Sequence, residues 1–85
     1  LGLVNRVVAK DSLAAEAEAL VQRLAQGPTH ALGHMKQLLR SAMERGLDAH
    51  LDKEAESFTQ CAGTADFQEG ISAFREKRAA RFQGR

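Results

Sequence analysis

His30 and His34, in "GPTHALGHMKQLL", stand four residues apart, the helical spacing at which two imidazoles can share one metal ion. A zinc hydrolase motif of the HExxH type also requires a glutamate directly after the first histidine, and that position is Ala31. Cys61, His50 and scattered acids are the further donors, and no spacing favours any of them. The residues therefore read as histidines near a helix start, with no metal assigned. General acid–base chemistry needs two carboxylates in different environments. Asp48, Asp52 and Glu56 instead repeat every four residues, as the solvated face of a helix does. Cys61 has no basic neighbour in sequence to activate it, and Ser12, Thr29 and Asp66 suit helix starts. No glycine-rich phosphate loop is present. The residues on their own offer no active site.

The C-terminal segment "EGISAFREKRAARFQG" is different. Between Arg75 and Arg85 there are five basic residues and one acidic one. If the helix continues, Phe74, Lys77, Arg78 and Arg81 share a side, which puts an aromatic ring beside cations. Such a face suits a ligand with both a flat ring and phosphates, since the ring stacks while the cations take the charge. The competing reading, favoured by the residues alone, is a terminal helix whose bases offset its dipole and whose Phe74 and Phe82 are buried. Nucleic-acid binding is a weaker alternative, because the chain has four phenylalanines and no tyrosine or tryptophan.

The elements that must position these residues are mostly helical. Leu13, Ala17, Leu20, Val21 and Leu24 keep helical spacing, so a first helix is expected from about Ser12 to Gln26, capped by Asp11 or Ser12 and stopped by Gly27-Pro28. A second is expected from about Thr29 to Arg45, ending at Gly46, and a third from about Leu47 to Ala62. Asp66 with Glu69 three residues later resembles a capping box opening a last helix, with Ile71, Phe74, Phe67 and Arg78 toward its inner side and fraying by Gly84. "LGLVNRVV" is rich in β-branched residues and reads as a strand of about 5 residues with no partner elsewhere in the chain.

Composition sets the outer bounds. With 85 residues, 44% hydrophobic and 27% charged, and a formal net charge of +1, the chain is one domain or part of one, with no general affinity for polyanions. One cysteine precludes an internal disulfide and fits a reducing, cytoplasmic compartment. No apolar run approaches the roughly 20 residues of a membrane span. The start at Leu1 in place of methionine raises the expectation of processing or an incomplete gene product.

The order "GLVNRVV", helix, "GPTHALGHMKQLL", a helix with "EAESF", then "DFQEGISAFREKRAARFQG" resembles the C-terminal part of the crotonase superfamily, the enoyl-CoA hydratase/isomerase family. The resemblance extends over essentially the whole chain, and its last segment is the most specific. Ala79, Ala80 and Gln68 depart from residues frequent in the family, outside the group Phe74, Glu76 and Lys77.

The resemblance implies a mainly α fold, a four-helix C-terminal region. Residues 1–10 would end the last strand of an α/β spiral core, and residues 11–85 would form a helical oligomerisation domain. The parent would be a lyase or isomerase of fatty acid metabolism acting on a coenzyme A thioester. Its catalytic glutamates and oxyanion-stabilising N–H donors would lie upstream. The implied partners are that upstream core and sister subunits in a trimer or hexamer, with no nucleic acid or membrane and no covalently bound cofactor. The implied contacts to coenzyme A are Phe58 and Phe74 near the adenine or acyl group and Lys77 at the 3′-phosphate, with Gly70 admitting a neighbouring backbone. The alternative is a stand-alone helical interaction module without enzymatic role.

Overall fold

The computed structural model describes residues 2–85. A 3-10 turn at Lys10–Ser12 leads into α1 (Leu13–Ala25), followed by α2 (Thr29–Ser41), α3 (Leu47–Ala62) and α4 (Ala65–Glu76). α2 packs on α3 and α3 on α4, while α1 is held chiefly against the turn that precedes it. Residues 2–9 form no strand, since no second strand is present among the described residues to complete a ladder. Arg6 pairs with Glu16 of α1 at 2.9 Å, which keeps this segment along the helix.

The helix boundaries have local causes. α1 stops at Gln26, whose N–H still reaches Gln22, before Gly27 and Pro28 end the series. α2 ends at Ser41, short of the expected Arg45. The Ser41 hydroxyl donates to the carbonyls of Gln37 at 3.0 Å and Leu38 at 3.3 Å, so it occupies acceptors in the last turn. Residues 42–44 then form a turn that leaves Met43 exposed.

α4 departs most from its sequence expectation. Its cap is Thr64, whose hydroxyl accepts from the Phe67 N–H at 3.1 Å and donates to the Cys61 carbonyl at 2.6 Å. Asp66 and Glu69 do not form a capping box. The helix ends at Glu76, because Lys77 adopts the left-handed conformation at φ 54°, ψ 40°, and the Arg78 N–H bonds back to the Ala73 carbonyl at 3.0 Å. This is a Schellman-type stop with lysine in the position usually held by glycine. Residues 77–85 are therefore a non-helical tail, not a fraying helix.

Little is buried. Ala73, Ser57 and Asp66 are the buried residues among those described, and no large side chain is fully enclosed. The radius of gyration is 16.2 Å, against about 12 Å for a compact chain of this length. The apolar stripe of α1 stays half open, with Leu20, Val21 and Leu24 each about half exposed. The periodicity that builds these helices thus prepares faces that the chain does not cover itself.

Candidate functional site

The C-terminal tail turns back over the start of α4, and two acids hold it there. Asp66, buried in the first turn, accepts the N–H groups of Gln83 at 2.7 Å and Gly84 at 2.8 Å, while its own N–H donates to the Arg85 carbonyl at 2.8 Å. Glu69, one turn on, accepts both terminal nitrogens of Arg78 at 2.6 and 2.9 Å and the Arg81 N–H at 2.8 Å. These bonds, the Arg78 guanidinium first and the Arg81 amide second, pull the Glu69 carboxyl down to about 2. Glu69 and Glu76 together hold the Arg78 guanidinium firmly protonated.

This fold-back separates the residues that the sequence placed on one helical face. Arg78 is committed to Glu69 and Glu76, the latter at 2.6 Å, and the Arg81 backbone is tied to Glu69. Lys77, at the helix stop, enters no ion pair among the described residues and is exposed. Phe74, expected on the inner side of its helix, is 86% exposed; the terminal-helix reading with a buried Phe74 does not hold. Phe82, by contrast, is half-buried against α4. Its Cε1 lies 3.7 Å from where a Cβ on Gly70 would stand, so an aromatic ring meets Gly70 and not a backbone.

Phe58 on α3 is exposed along most of its ring, and its edge meets Phe67 at 6.1 Å between centroids and an interplanar angle of 89°. Phe67, Phe74 and Phe82 line an open, strongly apolar groove of about 530 Å³ between α4 and the start of α2, with Pro28, Ile71 and Arg75 among its walls. A groove of that size suits a flat or acyl ligand moiety, and Lys77, unpaired among the described residues, follows Phe74 at the end of the same helix. The acids Asp48, Asp52 and Glu56 are exposed, as their spacing implies. Lys53, hydrogen-bonded to Glu56 at 2.8 Å, lowers the affinity of that carboxyl for protons.

One grouping was not legible in the sequence. Cys61, in the last turn of α3, meets His30 and His34 of α2, and the three donor atoms lie within 4.8 Å of one another. Cys61 lies twenty-seven positions after His34, so only the packing of α2 on α3 reveals the contact.

Comparison with known proteins places this architecture. The chain is 39% identical over 84 residues to the 1,2-epoxyphenylacetyl-CoA isomerase of Escherichia coli K12, covering 99% of this chain and 32% of that protein. It is 42% identical, also over 84 residues, to the 2,3-dehydroadipyl-CoA hydratase of the same organism, covering 99% of this chain and 33% of the relative. A crystal structure from Geobacillus kaustophilus HTA426, described as enoyl-CoA hydrates subunit I, superposes with a TM-score of 0.92 at 38% identity, over 99% of this chain and 33% of that one. The chain thus spans about a third of the length of the relatives it matches, and its fold is the helical C-terminal part of a crotonase-type protein. The family model for enoyl-CoA hydratase/isomerase matches residues 1–85, and the chain belongs to that family.

Proposed function

We propose that this chain is the coenzyme A-contacting and subunit-assembling C-terminal part of a cytoplasmic enzyme acting on acyl-CoA thioesters, with Phe58, Phe74 and Lys77 at the coenzyme. In this reading residues 1–10 end the last strand of a catalytic core supplied by the rest of the protein, and residues 11–85 are the helical domain. The observation that carries it is Lys77. A non-glycine residue in the left-handed region costs roughly 1 kcal/mol or more, and such a residue persists where its surroundings hold it. Here the Glu69–Arg78–Glu76 pairing holds the turn, and it leaves Lys77 without an ion pair among the described residues, three positions after the exposed Phe74. That is the chemistry a nucleotide with a phosphate requires. Kinship to proteins named for CoA-thioester substrates supports the same ligand class.

Subunit assembly is supported by the uncovered apolar faces of α1 and α2, with Leu24 48% and Leu39 76% exposed. A stand-alone helical module would need a core of its own, and the expanded dimensions weigh against that alternative.

Isothermal titration of the intact protein with coenzyme A and with 3′-dephospho-coenzyme A tests the ligand role. Lys77→Ala should weaken coenzyme A binding by about 1–2 kcal/mol, roughly tenfold. It should leave the dephospho compound almost unaffected, since the two losses share one contact. Equal losses for both compounds would remove Lys77 from the phosphate.

A further inference from the structure

We propose that His30, His34 and Cys61 form a binding site for one zinc-class divalent ion, a site independent of the coenzyme reading above. The donors are one ring nitrogen of each imidazole and the Cys61 sulfur, all within 4.8 Å of one another. The two Nε2 atoms stand 3.3 Å apart. Two nitrogens on a tetrahedral zinc ion with bonds of about 2.0–2.1 Å are separated by roughly 3.3 Å, so the imidazoles already have the spacing of a coordination edge. Without an ion, one Nε2 must carry a proton and donate it to the other. With both nitrogens bare, their lone pairs face each other, an arrangement a cation relieves.

Helical geometry and the packing of α2 on α3 build the cluster. His30 and His34 sit on one face of the first turns of α2, four residues apart. Cys61 lies in the last turn of α3, where its carbonyl accepts both the Thr64 hydroxyl at 2.6 Å and the Thr64 N–H at 3.0 Å. An ion would tie the start of α2 to the end of α3 in a chain that buries almost nothing else. Two imidazoles and a thiolate select zinc, cobalt or copper over magnesium and calcium. The thiolate is the form of Cys61 that binds, so metal uptake competes with the thiol proton. His30 and Cys61 are also walls of the apolar groove, so the cluster borders it. Nδ1 of His34 is buried with no hydrogen-bond partner among the described residues, so that imidazole is not braced from behind. The site is accordingly weaker than one whose histidines are backed by carboxylates.

The test is titration of the intact protein with Zn2+ and with Co2+, following heat, the near-ultraviolet thiolate-to-cobalt absorption and the rate of Cys61 alkylation. The expected result is one ion per chain, a thiolate charge-transfer band, and alkylation slowed more than tenfold by zinc. Cys61→Ser and His34→Ala should each weaken binding more than about 100-fold, beyond the ~10–100-fold loss that follows removal of a group behind a ligand. His50→Ala, outside the cluster, should change nothing. Circular dichroism of each variant separates loss of the ligand from loss of helix: a variant that keeps its helix and its affinity overturns the site. So do the absence of the thiolate band and an equal effect of His50→Ala.

Discussion

The Glu69 carboxylate grips the Arg78 guanidinium end-on, with Arg78 Nη1 and Nη2 at 2.6 and 2.9 Å from its two oxygens. The same carboxylate accepts the Arg81 N–H, so one acid converts what the sequence offers as a continuing helix into a tail folded back on α4. Geometry of this bidentate kind is directional as well as strong, and it fixes where residues 78–81 can lie.

Because Glu69 is drawn from 4.5 to about 2 in the folded chain, its contribution is complete above the ordinary carboxylate range and is lost as pH falls from about 4.5 through 2. Amide exchange at Arg81, corrected for intrinsic rates, should lose protection across that window. Glu69→Gln should weaken protection at neutral pH and flatten the dependence. An unchanged profile in the variant would assign the effect to another group.

Asp66→Ala removes the acceptor for two tail N–H groups, those of Gln83 and Gly84, and should lower the stability of the chain by about 1–3 kcal/mol. Asp66→Asn should cost less, since one oxygen still accepts. Urea titration followed by circular dichroism distinguishes the two.

Two glycines should respond in opposite ways. Gly84 sits at φ +78, and a Cβ there would lie 2.6 Å from the Thr29 hydroxyl, so Gly84→Ala should destabilise tail docking by about 1–2 kcal/mol. Gly70 is inside α4, where an added methyl would meet the Phe82 ring at 3.7 Å, an ordinary contact. Gly70→Ala should therefore raise stability by up to about 1 kcal/mol. Paired thermal melts check both signs.

Lys77→Gly separates conformation from charge. Glycine accepts the left-handed stop without strain, so the variant should gain about 1 kcal/mol of stability while losing the ammonium proposed for the coenzyme phosphate. A gain in melting temperature together with weaker coenzyme A binding in the intact protein is the expected result. A loss of stability would mean that the side chain has a structural partner.

Phe58→Ala should cost only about 0.5–1.5 kcal/mol of stability, since the ring is 63% exposed and its contact with Phe67 is an edge contact. Binding of coenzyme A to the intact protein should fall by a larger factor than that stability change alone would produce. Parallel melts and titrations on the same preparation make the comparison.

The helices were largely legible because their causes are local. Apolar residues at helical spacing, with Gly27-Pro28, Gly46 and Gly63-Thr64 as breaks, place α1 and α3 to within a residue or two at each end. The end of α2 was missed because the Ser41 hydroxyl competes for carbonyls that the periodic pattern assigns to the helix. The exposed acid face of α3 was readable for the same reason as its apolar face, since a repeat of four marks one side.

What the chain by itself determined is the helical order, the family, and the run of basic residues at its end, all properties of neighbours a few positions apart. Tertiary structure alone decided where those residues point. The last helix stops at Glu76 because Asp66 and Glu69 capture a tail up to eighteen positions away. Cys61 reaches His30 and His34 because α3 lies on α2. Contacts between distant positions depend on packing and charge pairing in space, and residue spacing along a chain carries no record of them.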